Sequence, residues 1–109
     1  MTAALSEALP EPTVVMCHIS HTYATGASLY FTVVAAQRGN PVDQWRAAKA
    51  AASDAIMRTG GTITHHHAVG TDHRPWLTEE VGEVGVRVLQ AVKDCLDPAG
   101  ILNPGKLIP

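Results

Sequence analysis

At 109 residues with a formal net charge of −2, the chain can hold one domain at most, near the lower end of the size at which a single hydrophobic core suffices. Its scattered Lys and Arg form no basic stripe, which argues against nucleic-acid binding; no apolar run approaches the roughly 20 residues of a membrane span, and Met1 to Pro12 lacks the basic start and apolar stretch of a signal peptide, so a cytoplasmic location is expected. Apolar residues make up 46% and charged ones 17%, a balance that predicts a surface partly covered by a partner.

Residues 1–12 carry Pro10 and Pro12 and no clear periodicity, and read as a disordered tail or linker remnant ahead of a domain over 13–109. Thr13 to His21 and Ala27 to Ala36 are rich in Val, Ile, Phe, Tyr and Thr, with Ala24-Thr25-Gly26 between them as a turn, which predicts a β-hairpin. Alternation puts Ala27, Leu29, Phe31, Val33 and Ala35 on one face of the second strand and Tyr30 on the other. Asn40-Pro41 offers a capping side chain followed by proline at the first helical position, and the helix should run to about Arg58, where Gly60-Gly61 ends it. Val42, Trp45, Ala48, Ala52 and Ile56 recur at threes and fours and predict its buried stripe.

Thr62 to Gly70 reads as a brief extended segment entering a loop that continues through His73, Arg74 and Pro75. Thr78 is the expected cap of a second helix, with Glu79 and Glu80 in its first turn and Val81, Val84, Val88, Leu89, Val92 and Leu96 as its apolar face. Gly82 and Gly85 each cost on the order of 1 kcal/mol inside a helix, which predicts close packing against another backbone. Asp97-Pro98 stops the helix, and the turn-rich tail from Ala99 to Lys106 should dock on something. Cys17 and Cys95 lack C-x-x-C spacing and read as small apolar residues, with a disulfide left open. Together these elements predict an α+β fold: an antiparallel hairpin packed with two long helices, its strand edges inviting a homodimer.

Three of the six histidines are consecutive, His65-His66-His67. If the segment is extended, His65 and His67 share one face and His66 takes the other. Three readings compete on spacing alone. The imidazoles can hydrogen-bond an anion or move a proton at a flavin or substrate site; two of them with His73, His18 or His21 can ligate zinc or iron; or the run is a solvated loop. No H-x-x-x-H or C-x-x-C spacing favours the metal. Arg74, beside Pro75-Trp76, is a surface residue or a phosphate contact, while Trp45 and Trp76 read as core anchors and Tyr30 as a half-buried packing residue.

The order Cys17-His18-Ile19-Ser20-His21, Gly26 to Phe31, Gly60-Gly61, His65 to Gly70, Trp76-Leu77 and Leu96-Asp97-Pro98 resembles the C-terminal end of the alkyldihydroxyacetonephosphate synthase family, from about Thr13 to Pro109. Leu96 to Lys106 also resembles the general ending of FAD-linked oxidases of the vanillyl-alcohol-oxidase type, including the D-lactate dehydrogenase and glycolate oxidase branches. Members of the synthase family exchange the acyl group of acyl-dihydroxyacetone phosphate for a fatty alcohol, with FAD as a covalent trap instead of a net redox carrier. The resemblance implies a substrate-side portion that needs an FAD-binding domain or subunit and is inactive without it. It places Tyr30 and His65, His66 and His67 at the active site, with His67 preferred for proton transfer; His73 and Arg74 near a lipid-like substrate; and Asn103 and Lys106 against the flavin region, with no metal. Ala68 stands where the animal members have glycine. Two alternatives stay open: part of a 2-hydroxy-acid dehydrogenase of the D-lactate or glycolate type, and a non-catalytic metal-binding or interaction module.

Overall fold

The computed structural model describes residues 1–109. Five elements follow in order: α1 (Thr2–Ala8), β1 (Thr13–Tyr23), β2 (Gly26–Ala35), α2 (Pro41–Arg58) and α3 (Arg74–Leu96). The class is α+β, as expected. The chain divides into two compact units, Met1–Ala55 and Ile56–Pro109.

In the first unit, β1 and β2 pair antiparallel, and two residues, Ala24 and Thr25, make the turn. The register puts Val15 opposite Val33, Cys17 opposite Phe31 and Ile19 opposite Leu29 on one face, and Met16 opposite Thr32 and His18 opposite Tyr30 on the other. The register shifts between Ile19 and His21. This bulge at Ser20 has a consequence for the faces. Without it Ser20 would oppose Ser28 and His21 would join the aliphatic face; with it His21 opposes Ser28 and shares the face of His18 and Tyr30, the re-aiming for which bulges are used. Both faces of the hairpin are largely exposed, including Val14, Met16, Ile19, Leu29 and Val34. Ahead of the strands, where a segment without periodicity is expected, residues 2–8 form α1, and its Leu5 and the following Leu9 are buried.

Helix α2 begins as its sequence dictates. The Asn40 Oδ1 accepts the Val42 N–H at 2.9 Å, satisfying one of the donors a helix start leaves open. It ends at Gly60, with φ of 70°, where the Thr59, Gly60 and Gly61 amides close back on Ile56 and Met57 carbonyls. The expected stripe holds in part: Ala48, Ala52 and Ile56 are half-buried, whereas Val42 and Trp45 are exposed, and Ser53 and Ala55 are the buried residues. Trp45 is therefore no core anchor; the Lys49 ammonium lies 5.5 Å from its ring centroid.

The core of the second unit is Ile63, Val69 and Leu77, against which Ile56, Met57, Trp76 and Leu89 pack. Trp76 is thus the core anchor expected of it. Helix α3 starts four residues ahead of the expected Thr78 cap, because His73 takes the N-cap position and Pro75 fills the first turn, where its missing N–H and fixed φ cost nothing. Gly82 has φ 75° and ψ 163°, so α3 is two helical stretches joined at a kink. The expected reason for this glycine, close packing, does not hold, since a Cβ at Gly82 would meet nothing within 4 Å; the backbone conformation requires it. Gly85 does answer to close approach, although to a side chain, with its Cβ position 3.1 Å from Val81. Beyond the kink Leu89 packs on the core, while the rest of the apolar stripe is exposed, Val84 at 64% and Leu96 at 74%. Both cysteines are free and exposed, which closes the question of a disulfide between them.

The tail docks, as expected, and does so through hydrogen bonds. The Asp97 carboxylate accepts the Ile101 and Leu102 amides at 3.0 and 2.9 Å and pairs with Lys93 one turn earlier. Lys93 also donates to the Leu102 carbonyl, and the Leu107 N–H donates to Val69 O at 3.0 Å.

Candidate functional site

The histidine run is not extended. Residues 65–67 form successive bends between two buried anchors, Ile63 and Val69, and Ala68 turns the chain with φ of 61°. The ring centroids of His65 and His66 lie 4.2 Å apart and those of His66 and His67 4.8 Å apart. Neighbouring side chains on a strand point to opposite faces, whereas here the His66 ring lies beside the rings on both sides of it, a consecutive row in the sense of neighbour to neighbour. The division that pairs His65 with His67 and sends His66 elsewhere is therefore corrected: His66 is the middle ring. All three residues are exposed.

Hydrogen bonds fix both ends of the turn. The Thr64 hydroxyl donates across the turn to Ala68 O at 3.2 Å. On the entering side the Glu80 carboxylate, reaching from the second turn of α3, accepts the Ile63 N–H at 3.0 Å and the Thr62 hydroxyl through its other oxygen. On the leaving side Val69 O is held by the tail amide of Leu107. Sequence reasoning placed Glu80 only as a favourable charge near a helix start; a carboxylate one turn inside a helix that ends up gripping a loop 17 residues earlier has no local signature. The hint available was Thr62, a hydroxyl with a vacant face ahead of a turn.

His73 is the partly buried N-cap of α3. Arg74, the first residue of that helix, donates from Nη1 to Gly105 O at 3.0 Å, so one arm of its guanidinium serves the tail. Asn103 and Lys106 are exposed residues of that tail, and Asn103 has φ of 46°. Tyr30 belongs to the first unit, 63% exposed and opposite His18. Next to it the His21 Nδ1 and the Ser20 Oγ share a hydrogen bond of 2.9 Å. The structure thus gathers His65, His66 and His67 into one row within the second unit, and His18, His21 and Tyr30 onto one face of the hairpin.

Electrostatically, the Asp97 carboxyl departs from its ordinary behaviour. The hydrogen bond from Lys93, with the Leu102 and Ile101 amides, holds the Asp97 carboxyl below its usual value of 3.8. This group serves the tail. No group of three or more His, Cys, Asp or Glu side chains is placed to hold a metal ion, which leaves the metal reading of the histidines without supporting geometry. No helix is long and apolar enough to cross a membrane.

A row of exposed imidazoles on a braced turn can bind an oxyanion or relay a proton. Comparison with known proteins gives this chemistry a setting. Residues 1–107 match the family described as FAD linked oxidases, C-terminal domain. The chain is 40% identical over 99 residues to the alkyldihydroxyacetonephosphate synthase of Dictyostelium discoideum, covering 90% of this chain and 16% of that protein. It is 38% identical over 94 residues to the enzyme of the same name from Trypanosoma brucei brucei, covering 85% of this chain and 15% of the relative. A shorter match, 45% over 49 residues, covers 45% of this chain and 9% of the mitochondrial D-lactate dehydrogenase [cytochrome] of Arabidopsis thaliana. The chain thus spans about a sixth of the length of the synthases it matches. With the family match running over nearly every residue, from α1 through the histidine turn to the docked tail, the chain belongs to the FAD-linked oxidase C-terminal domain family.

Proposed function

We propose that this chain is the substrate-side portion of a flavoprotein of the alkyldihydroxyacetonephosphate synthase type, working with a region or subunit that binds FAD. The observation that carries the reading is the braced imidazole row, His65 to His67, lying inside the stretch aligned with the synthases. The residues suit the substrate side of a flavin: imidazoles and a phenol that handle protons, and no glycine-rich loop to cradle phosphates. FAD, when bound, supplies a ring nitrogen that is nucleophilic toward the substrate carbon. Asn103 and Lys106, exposed on the tail, meet the flavin region in this reading.

In this reading His67 takes a proton from the carbon beside the substrate carbonyl, and His65 and His66 relay protons or bind the departing carboxylate. The acyl group leaves as a carboxylate, the fatty alcohol enters with loss of its own proton, and a proton returns to the carbon, so no net electrons move. Tyr30 offers a phenol hydroxyl to the reacting group. His73 and the free face of the Arg74 guanidinium meet the phosphate of a lipid-like substrate. The exposed stripe of α3 and the exposed hairpin faces exceed what a soluble monomer leaves uncovered, which supports a covering partner, the FAD-binding region first and a second copy through the strand edges next. A cytoplasmic location goes with this reading.

Co-expression of the chain with an FAD-binding region of the same flavoprotein type tests the proposal. A yellow complex that exchanges acyl for alkyl on dihydroxyacetone phosphate is expected; a colourless product without exchange overturns it. The similarity to D-lactate dehydrogenase over 49 residues favours one second reading, a 2-hydroxy-acid dehydrogenase. Dye reduction by D-lactate or glycolate in the same complex would select it.

A further inference from the structure

We infer that Glu80 is the positioning residue of the histidine row: its carboxylate sets the bend that lines up the three imidazoles. The effect on chemistry rests on the function proposed above; the effect on the rings stands on the chain alone.

Residues 64–68 carry three imidazoles, which are exposed, and the Thr64 hydroxyl closes the turn on Ala68 O. The direction in which the chain enters and leaves this turn is set at its two ends. At the leaving end Val69 is buried in the core and its carbonyl is held by Leu107. At the entering end Ile63 is buried in the same core, but burial of a side chain leaves its backbone free to rotate about φ and ψ. Glu80 removes that freedom. One carboxylate oxygen accepts the Ile63 N–H at 3.0 Å, and the other accepts the hydroxyl of Thr62. Two adjacent residues are thus tied to one rigid planar group, which fixes the peptide plane between them and the direction in which the chain enters Thr64. Bonds to an ionised acceptor are about twice as strong as neutral ones. The carboxylate is itself held by a helix whose preceding turn carries Leu77 of the core.

The Thr62 hydroxyl has one proton and two acceptors within reach, Glu80 and the Thr64 carbonyl at 3.0 Å. With Glu80 present that proton goes to the carboxylate. Without it, the hydroxyl keeps only the Thr64 carbonyl, the Ile63 N–H loses its acceptor, and the entry to the turn is no longer tied to α3.

The test uses the full chain and its Glu80→Gln, Glu80→Ala and Thr62→Val variants. Nuclear Overhauser contacts between the imidazole protons of His65, His66 and His67 report the row. They are expected in the wild type, lost in Glu80→Ala while the methyl signals of Ile63, Val69 and Leu77 stay dispersed, and retained in part in Glu80→Gln, whose amide oxygen still accepts one of the two bonds. Thr62→Val, which removes one arm of the clamp without touching Glu80, should weaken the His65–His66 contacts before the His66–His67 contacts. Should Glu80→Ala fail to fold, Thr62→Val and Glu80→Gln decide. Inter-ring contacts unchanged in every folded variant would overturn the inference, and so would their absence in the wild type. In the assembled flavoprotein, Glu80→Ala should lower kcat roughly 10- to 100-fold, the scale of a misplaced reacting group, with KM little changed. Loss of the ring contacts in a complex that never shows exchange would leave Glu80 as positioning residue and remove the proposed activity; unchanged kcat despite lost contacts would remove the catalytic part of the inference.

Discussion

Ala68 offers a sharp test of the histidine turn because its backbone conformation has a calculable cost. With φ of 61° it occupies the left-handed region, where an L-residue other than glycine loses roughly 1–2 kcal/mol. Glycine at this position, as in the animal synthases the sequence resembles, removes that cost. It also adds roughly 0.4–1 kcal/mol of backbone entropy to the unfolded chain. The difference leaves Ala68→Gly more stable by roughly 0.5–1 kcal/mol, a rise in Tm of a few degrees for a domain of this size. Ala68→Val should go the other way and lose at least about 1 kcal/mol, since a β-branched residue is a true outlier at positive φ. Urea unfolding followed by Trp fluorescence reads both, because Trp76 packs on the core that contains Val69, and the m-value should not change. Ala68→Gly less stable than wild type, or Ala68→Val equal to it, would show that the turn is built some other way.

Three further outcomes follow from other parts of the chain. Asp97 has its folded pKa lowered below 3.8, so the stability it contributes is present above the ordinary carboxylate value and is lost as pH falls through the lower folded value; the Ile101 and Leu102 amides should lose protection only in that acid window, and Asp97→Asn should abolish the pH dependence. Gly82→Ala places a side chain at φ 75° and ψ 163° and should cost roughly 1–3 kcal/mol of backbone strain, measured by thermal unfolding; a neutral or stabilising result would mean that α3 straightens without penalty. Arg74→Ala removes the bond to Gly105 O and should speed amide exchange in residues 105–107 with little change in the Trp76 signal.

The hairpin, both long helices and the stop at Asp97 were legible because each rests on a local rule: alternation, an Asn-Pro start, a Gly-Gly end. The start of α3 was not, since Thr78 and Glu79 imitate a cap that His73, with Pro75 behind it, preempts five residues earlier. Burial misled the reading in parts of α2 and α3, where Val42, Trp45, Val84 and Leu96 follow the apolar periodicity yet lie exposed. The first helix escaped notice because seven residues are too few for periodicity to register. At the site, residue identity was readable and geometry was not. His65 to His67 stood out in the sequence, but their alignment as a row depends on Ala68 adopting positive φ and on Glu80 reaching back across 17 positions. The face shared by His18, His21 and Tyr30 likewise depends on a one-residue bulge that no local composition announces.

The measurement closest to the central claim is alkyl exchange by the co-expressed complex, with wild-type chain and with His67→Ala. The account predicts a yellow complex in both cases, incorporation of labelled fatty alcohol by the wild type, and a loss of at least a hundredfold in the variant, within the range by which positioned acid–base groups accelerate reactions. Full exchange with His67→Ala, or a wild-type complex that holds flavin and exchanges nothing, would contradict it.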